Sequence, residues 1–135
     1  INTINYREIR QFLELCHREF PRTRVMFYFH TPDYGIDQPY LSQQQRREAA
    51  DTVLQCKREG FPVLNSKTAL DAYLAGNPGL PAPYWWIVDE AGEYPCCRAS
   101  ADPGVCSDCG YTMCGEFLQA RNGHPGAVLS MLRMA

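Results

Sequence analysis

Cys96, Cys97, Cys106, Cys109 and Cys114 put five of the chain's seven cysteines into one short loop, in the order CC-x8-C-x2-C-x4-C. Four thiolates converging on one point satisfy either a tetrahedral zinc or an iron–sulfur cluster, so such a loop is expected to fold around a metal. The pair Cys106 and Cys109 lets one tight turn present two sulfurs to the same centre. Gly104 and Gly110 suit that turn because a residue without a Cβ takes positive φ, and Pro103 stiffens the approach. Adjacent side chains on extended backbone point to opposite faces, so one of Cys96 and Cys97 is expected to be a ligand and the other a bystander. Disulfides would need an oxidising compartment. The odd cysteine count, and the placing of Cys16 and Cys56 alone in helical patterns, argue against that reading. Zinc ribbons usually pair two C-x2-C knuckles and this loop has one, but a structural zinc remains the alternative to iron and sulfide.

A chain of 135 residues, 45% hydrophobic and 21% charged, can bury one core without staples. No apolar run approaches the ~20 residues of a membrane helix, and a net charge of −2 offers no basic field for a phosphate backbone. Neither a membrane nor a nucleic acid is expected as partner, and a cytoplasmic location is the default. The sequence opens at Ile1 and runs almost at once into a helical pattern, which leads us to expect a fragment lacking its N-terminal part.

Residues 7–20 space Ile9, Phe12, Leu13, Cys16 and Phe20 as one helical stripe. The residues before it, Ile1 to Ile4, read as the end of a strand. Arg24 to His30 is β-branched and aromatic, too short for a helix, and reads as a strand covered on both faces. Ser42 and Gln45 have the spacing of a capping box that opens a helix running to about Glu59, with Gly60 as its stop. That helix should bury Ala49, Ala50, Val53 and Leu54. A third strand at Phe61 to Leu64 leads to Ser66, the cap of a helix burying Leu70, Tyr73 and Leu74. Strand and helix thus alternate three times, the pattern of parallel strands with right-handed crossovers. The expected fold class is α/β: three βα units of a partial, open parallel barrel, then a β-hairpin, the Cys-rich loop and a C-terminal helix. The barrel part takes 1–76, a Pro- and Gly-rich linker 77–83, and the cluster module 84–135. In the last of these, Tyr84 to Val88 and Glu93 to Pro95 flank a turn with Gly92, and the closing helix breaks near Gly123 to Pro125.

In parallel α/β folds ligands bind beyond the carboxyl ends of the strands. Asn2 and Asn5, His30, and Asn65 stand at three such ends. The simpler reading keeps Asn5 as a cap of the first helix, Asn65 and Ser66 as caps of the third, and His30 as partner to a backbone carbonyl.

The stretches NTINY, VMFYFHTPDYGID and LSQQQRREAADTVLQCKREGFPVLNSKTAL resemble the second half of the partial barrel in radical S-adenosylmethionine (radical SAM) enzymes. The stretch WWIVDEAGEYPCCRASADPGVCSDCGYTMC resembles the SPASM or twitch extension that many of them carry after the barrel. Its hairpin running into cysteine, D-x-x-G-x-Y-P-C, is the more specific half. The resemblance implies an iron–sulfur oxidoreductase in which Cys97, Cys106, Cys109 and Cys114 hold an auxiliary [4Fe–4S] cluster, with Cys96 as substitute for Cys97. It also implies that Asn2, Asn5, His30 and Asn65 line a barrel mouth where S-adenosylmethionine meets a small-molecule or peptide substrate. No three cysteines stand at CxxxCxxC spacing, so the radical-generating loop would belong to a missing N-terminal barrel half, and this chain alone should not cleave S-adenosylmethionine. The reading from another class is a non-catalytic, zinc-stabilised interaction module whose Tyr84, Trp85 and Trp86 contact a partner.

Overall fold

A computed structural model describes residues 1–30, 40–75, 86–90, 92–95 and 112–134. Five helices and one pair of short strands follow in the order α1 (Ile9–Glu19), α2 (Gln43–Arg58), α3 (Lys67–Leu74), β1 (Trp86–Asp89), β2 (Gly92–Pro95), α4 (Thr112–Arg121) and α5 (Pro125–Met134).

The ends of α2 are set by local chemistry. The Ser42 hydroxyl accepts from the Gln45 amide at 3.3 Å, and the Gln45 side chain accepts from the Ser42 amide at 2.8 Å, which closes a capping box. At the other end Gly60, at φ +96°, donates to the Lys57 carbonyl while Phe61 donates to that of Cys56. These two bonds form a Schellman motif, which needs the left-handed residue that glycine supplies without strain. Between its caps α2 buries Ala49, Ala50, Val53, Leu54 and Cys56. Ser66 caps α3 by accepting from the Ala69 amide at 3.1 Å, and α3 buries Ala69, Leu70 and Tyr73.

The stripe on α1 is narrower than its spacing predicts. Ile9, Leu13 and Cys16 are buried, but Phe12 and Phe20 are 48% and 59% exposed. Phe12 meets the core through an edge-to-face contact with Phe27, ring centres 6.1 Å apart. The run from Val25 to His30 is not covered equally on both faces either. Val25, Phe27 and Phe29 are buried, whereas Met26, Tyr28 and His30 alternate with them at half burial. Phe29 stacks on Tyr73 of α3 at 4.8 Å, which ties the extended run to the helical layer.

The expectation of an α/β fold, three βα units of an open parallel barrel followed by a hairpin module, is overturned: the described residues are mostly helical and no barrel forms. The physical reason lies in the extended runs. Val25 and Val63 make one isolated parallel bridge, with Val25 donating to Pro62 O and Leu64 donating to Val25 O. The next position along is taken by a side chain, that of Asn65, instead of a peptide group. Ile1 adds one more pairing, donating to the Tyr28 carbonyl and accepting from the His30 amide. Contacts this short hold three segments side by side without building a ladder. The strands proper are four residues each, β1 and β2, antiparallel from Trp86 opposite Pro95 to Asp89 opposite Gly92.

The core gathers under α1, α2 and α3 around Leu13, Val53, Cys56, Leu70, Phe27 and Phe29. Helices α4 and α5 pack against each other and against α3, so residues from both sides of the expected linker share one body. That linker, 77–83, lies outside the described residues. Among the described residues no helix is long and apolar enough to cross a membrane.

Candidate functional site

The Cys-rich stretch of the sequence lies between the end of β2 at Pro95 and the first turn of α4. Cys96, Cys97, Cys106 and Cys109 lie outside the described residues; Cys114, the last of the candidate ligands, lies inside them. It is the third residue of α4 and is buried, with Thr112, Gly115 and Glu116 buried around it.

Three contacts fasten this turn to the rest of the fold. The Thr112 hydroxyl donates to the Phe27 carbonyl at 2.8 Å and accepts from the Asn65 side-chain amide at 3.1 Å. Asn65 is fully buried and faces Phe27 as a strand residue would, its Oδ1 accepting from the Phe27 amide at 2.8 Å and its Nδ2 donating to the Phe27 carbonyl at 3.0 Å. Glu116, also fully buried, accepts from the Ser66 amide at the start of α3. Between these anchors Gly115 lies against Ala69: a Cβ at 115 would stand 3.4 Å from the Ala69 carbonyl oxygen, so α3 and α4 cross closely there. Cys114 is thus carried on a turn that these contacts fix.

Beneath this turn lies a charged cluster that the sequence does not announce. Lys57 donates to the carbonyls of Leu64 at 3.1 Å and Asn65 at 2.7 Å, and the Ser130 hydroxyl donates to the same Leu64 oxygen. The second oxygen of Glu116 is buried with no hydrogen-bond partner among the described residues. Burial raises the Glu116 pKa above the ordinary carboxylate value, against the opposing pull of the Ser66 hydrogen bonds and the Lys57 charge. A carboxyl whose folded pKa is raised contributes its full stability below the unfolded value of about 4.3 and loses it as pH rises through the folded value. Replacing Glu116 by Gln keeps an acceptor for Ser66 and removes the buried charge. We expect E116Q to gain on the parent as pH rises from about 4 to about 7, read as urea midpoints at the two ends. A constant difference across that range would show that Glu116 titrates as it does in the unfolded chain.

The remaining expected site residues do not converge on one cavity. Asn2 and Asn5 close a local turn: Asn2 Oδ1 accepts from the amides of Ile4 and Asn5 at 2.9 and 3.2 Å, and Asn5 Oδ1 accepts from the Asn2 amide at 2.9 Å. Neither caps α1, whose N-cap is Glu8 without a side-chain bond. Asn5 reaches the rim of a cavity of about 450 Å³ together with Glu8, Phe12 and Met26. The His30 ring stacks on Tyr40 at 5.6 Å. Asn65 is engaged on Phe27 and Thr112, and the cap of α3 is Ser66 alone. Cys16 and Cys56 are core residues of α1 and α2, as expected of isolated cysteines. Among the described residues no three His, Cys, Asp or Glu side chains come together as a metal site. Thr112 and Glu116 were not foreseen as functional; a Glu followed by Phe and Leu in a helix reads as an ordinary surface carboxylate, and only tertiary packing reveals its burial.

Comparison of the chain with protein-family models, with curated proteins and with solved structures finds no match.

Proposed function

We propose that the loop between β2 and α4 binds a [4Fe–4S] cluster through Cys97, Cys106, Cys109 and Cys114, with Cys96 as the substitute for Cys97. In this reading the chain is the C-terminal part of an iron–sulfur oxidoreductase of the radical SAM kind, and the cluster is an auxiliary one. The observation that carries the proposal is the setting of Cys114. It is buried on a helical turn that Thr112 and Glu116 fasten to Phe27, Asn65 and Ser66, so one end of the cysteine loop starts from a fixed point. The donor set suits the group: four thiolates, one C-x2-C pair, and glycines where the loop must turn. When bound, the cluster would supply one-electron transfer or an open iron for substrate. Thr112 and Glu116 would hold the ligand turn, and the close crossing at Gly115 would keep the site packed against α3. The hydrogen bonds that occupy Asn2, Asn5 and Asn65 turn the proposal away from a substrate pocket built on those residues and toward the loop itself.

The test is anaerobic purification followed by iron, zinc and acid-labile sulfide analysis of the full chain and of C106A. We expect about four irons and four sulfides per chain, with broad visible absorption that bleaches on reduction, and their loss in C106A. One tightly held zinc without sulfide would replace the redox reading by the zinc-stabilised interaction module.

A further inference from the structure

We propose that the cleft between the start of the 24–30 run, the end of α2 and the last turn of α5 binds a small phosphorylated molecule. A cavity of about 410 Å³ opens there, walled by Arg24, Lys57 and Arg133 and by the apolar Phe61, Pro62 and Val63. Among the described residues no carboxylate stands on its wall. This site is separate from the cysteine loop, and the inference does not depend on the cluster.

Among the described residues none of the three cations is in a salt bridge, although the Glu116 carboxylate acts on Lys57. Lys57 donates to two backbone carbonyls, which are dipoles and not counterions. Arg24 donates one N–H to the Arg133 carbonyl at the end of α5, its one hydrogen bond among the described residues. Arg133 itself makes no ion pair among the described residues. Capping of carbonyls explains the positions of Arg24 and Lys57, since cations favour helix C-termini and exposed C=O groups. It does not explain why Arg133 comes to the same cavity, where its charge adds to theirs. Burial lowers the Lys57 pKa; the Glu116 carboxylate opposes this, and Arg133 adds a smaller push in the same direction as burial. Glu59, just beyond the end of α2, is paired with Arg10 through two hydrogen bonds at 2.7 and 2.9 Å.

An anion in the cleft would relieve this repulsion. Arginine presents a planar fork that matches two phosphate oxygens at once, and lysine adds a point charge. A phosphate monoester carries a charge of about −1.5 to −2 near neutrality, which three cations accommodate. The cavity falls within the range of about 300–1,000 Å³ common to small-molecule sites. It is larger than a bare phosphate needs. Phe61, Pro62 and Val63 offer an apolar wall for a short carbon skeleton, so the class we infer is the phosphate ester of a small organic molecule.

The test is titration of the full chain with glycerol 3-phosphate and with inorganic phosphate, followed by amide chemical shifts in a chloride buffer. Saturable shifts at millimolar ligand are expected at residues 24, 57, 60, 61, 63, 64 and 133, with the ester binding more tightly than phosphate. R133Q, which removes no hydrogen bond described in the fold, is expected to weaken binding about tenfold. R24Q is a second variant, and its shift spectrum reports whether loss of the α5 cap disturbs the fold. Absence of saturation, equal affinity in R133Q, or shifts centred elsewhere would overturn the assignment.

Discussion

Replacing Asn65 by alanine is expected to cost about 3 kcal/mol or more of unfolding free energy, the sum of the buried polar groups it strands. The Phe27 amide would lose its acceptor, and the Phe27 carbonyl and the Thr112 hydroxyl would each lose one partner, all in a region closed to water. Each unsatisfied buried group costs about 1–3 kcal/mol, and the deleted carboxamide leaves a cavity as well. T112V gives the scale by contrast. It removes the donor to the Phe27 carbonyl and the acceptor of one Asn65 N–H while Asn65 still bonds both backbone groups of Phe27, so a loss of about 1–2 kcal/mol is expected. N65D keeps the acceptor but buries a charge and removes the donor, and should be no better than N65A. Urea unfolding of the three variants checks the order. An N65A midpoint close to the parent's would mean that the Phe27 bonds are not made in solution.

Leu70→Ala is the second large effect, expected at about 2–5 kcal/mol. Leu70 is fully buried on α3, a helix of eight residues that is too short to persist without packing. Its side chain lies in the core with Leu13, Val53 and Phe27, while the next turn of the same helix packs Tyr73 on Phe29. Loss of the side chain would therefore weaken both α3 and the Ser66 amide that Glu116 accepts from. Leu74→Ala, at a position only half buried on the same helix, is the control and should cost clearly less. Thermal unfolding of the two variants side by side separates core packing from helix propensity, because both substitutions favour the helix equally.

The parts of this fold that were legible in the sequence are those fixed by neighbours along the chain. Ser42 with Gln45, the stop at Gly60 and the cap at Ser66 all appear where the spacing put them, because each is closed by atoms within a few residues. The inner face of α2 was legible for a similar reason, since Ala49, Ala50, Val53 and Leu54 fill one stripe with little else to compete. The layer architecture was not. Alternation of apolar runs predicted strands, yet the run 24–30 meets 61–65 through one bridge and one asparagine side chain, a substitution that period and propensity cannot show. Phe12 and Phe20 were misplaced because a stripe read from spacing does not know how wide the facing surface is. Asn65 was expected at a strand end facing a barrel mouth or as a helix cap, but its hydrogen bonds are with Phe27 and Thr112, a residue 47 positions further along the chain.

The bond from Thr112 to Phe27 spans 85 positions in sequence, and its consequence is an order of events during folding. The capped helix α2, the close pair Val25 and Val63, and the α3 cap all use separations short enough to form early. Docking of α4 has to wait for that surface, since the loop entropy it must overcome comes due before its few contacts are gained. Substitutions at Val53 should slow folding, whereas those at Thr112 should mainly speed unfolding, with φ-values high for the first and near zero for the second. A chain emerging with its cysteine loop intact would then carry Cys114 without a settled address until the first seventy residues had folded.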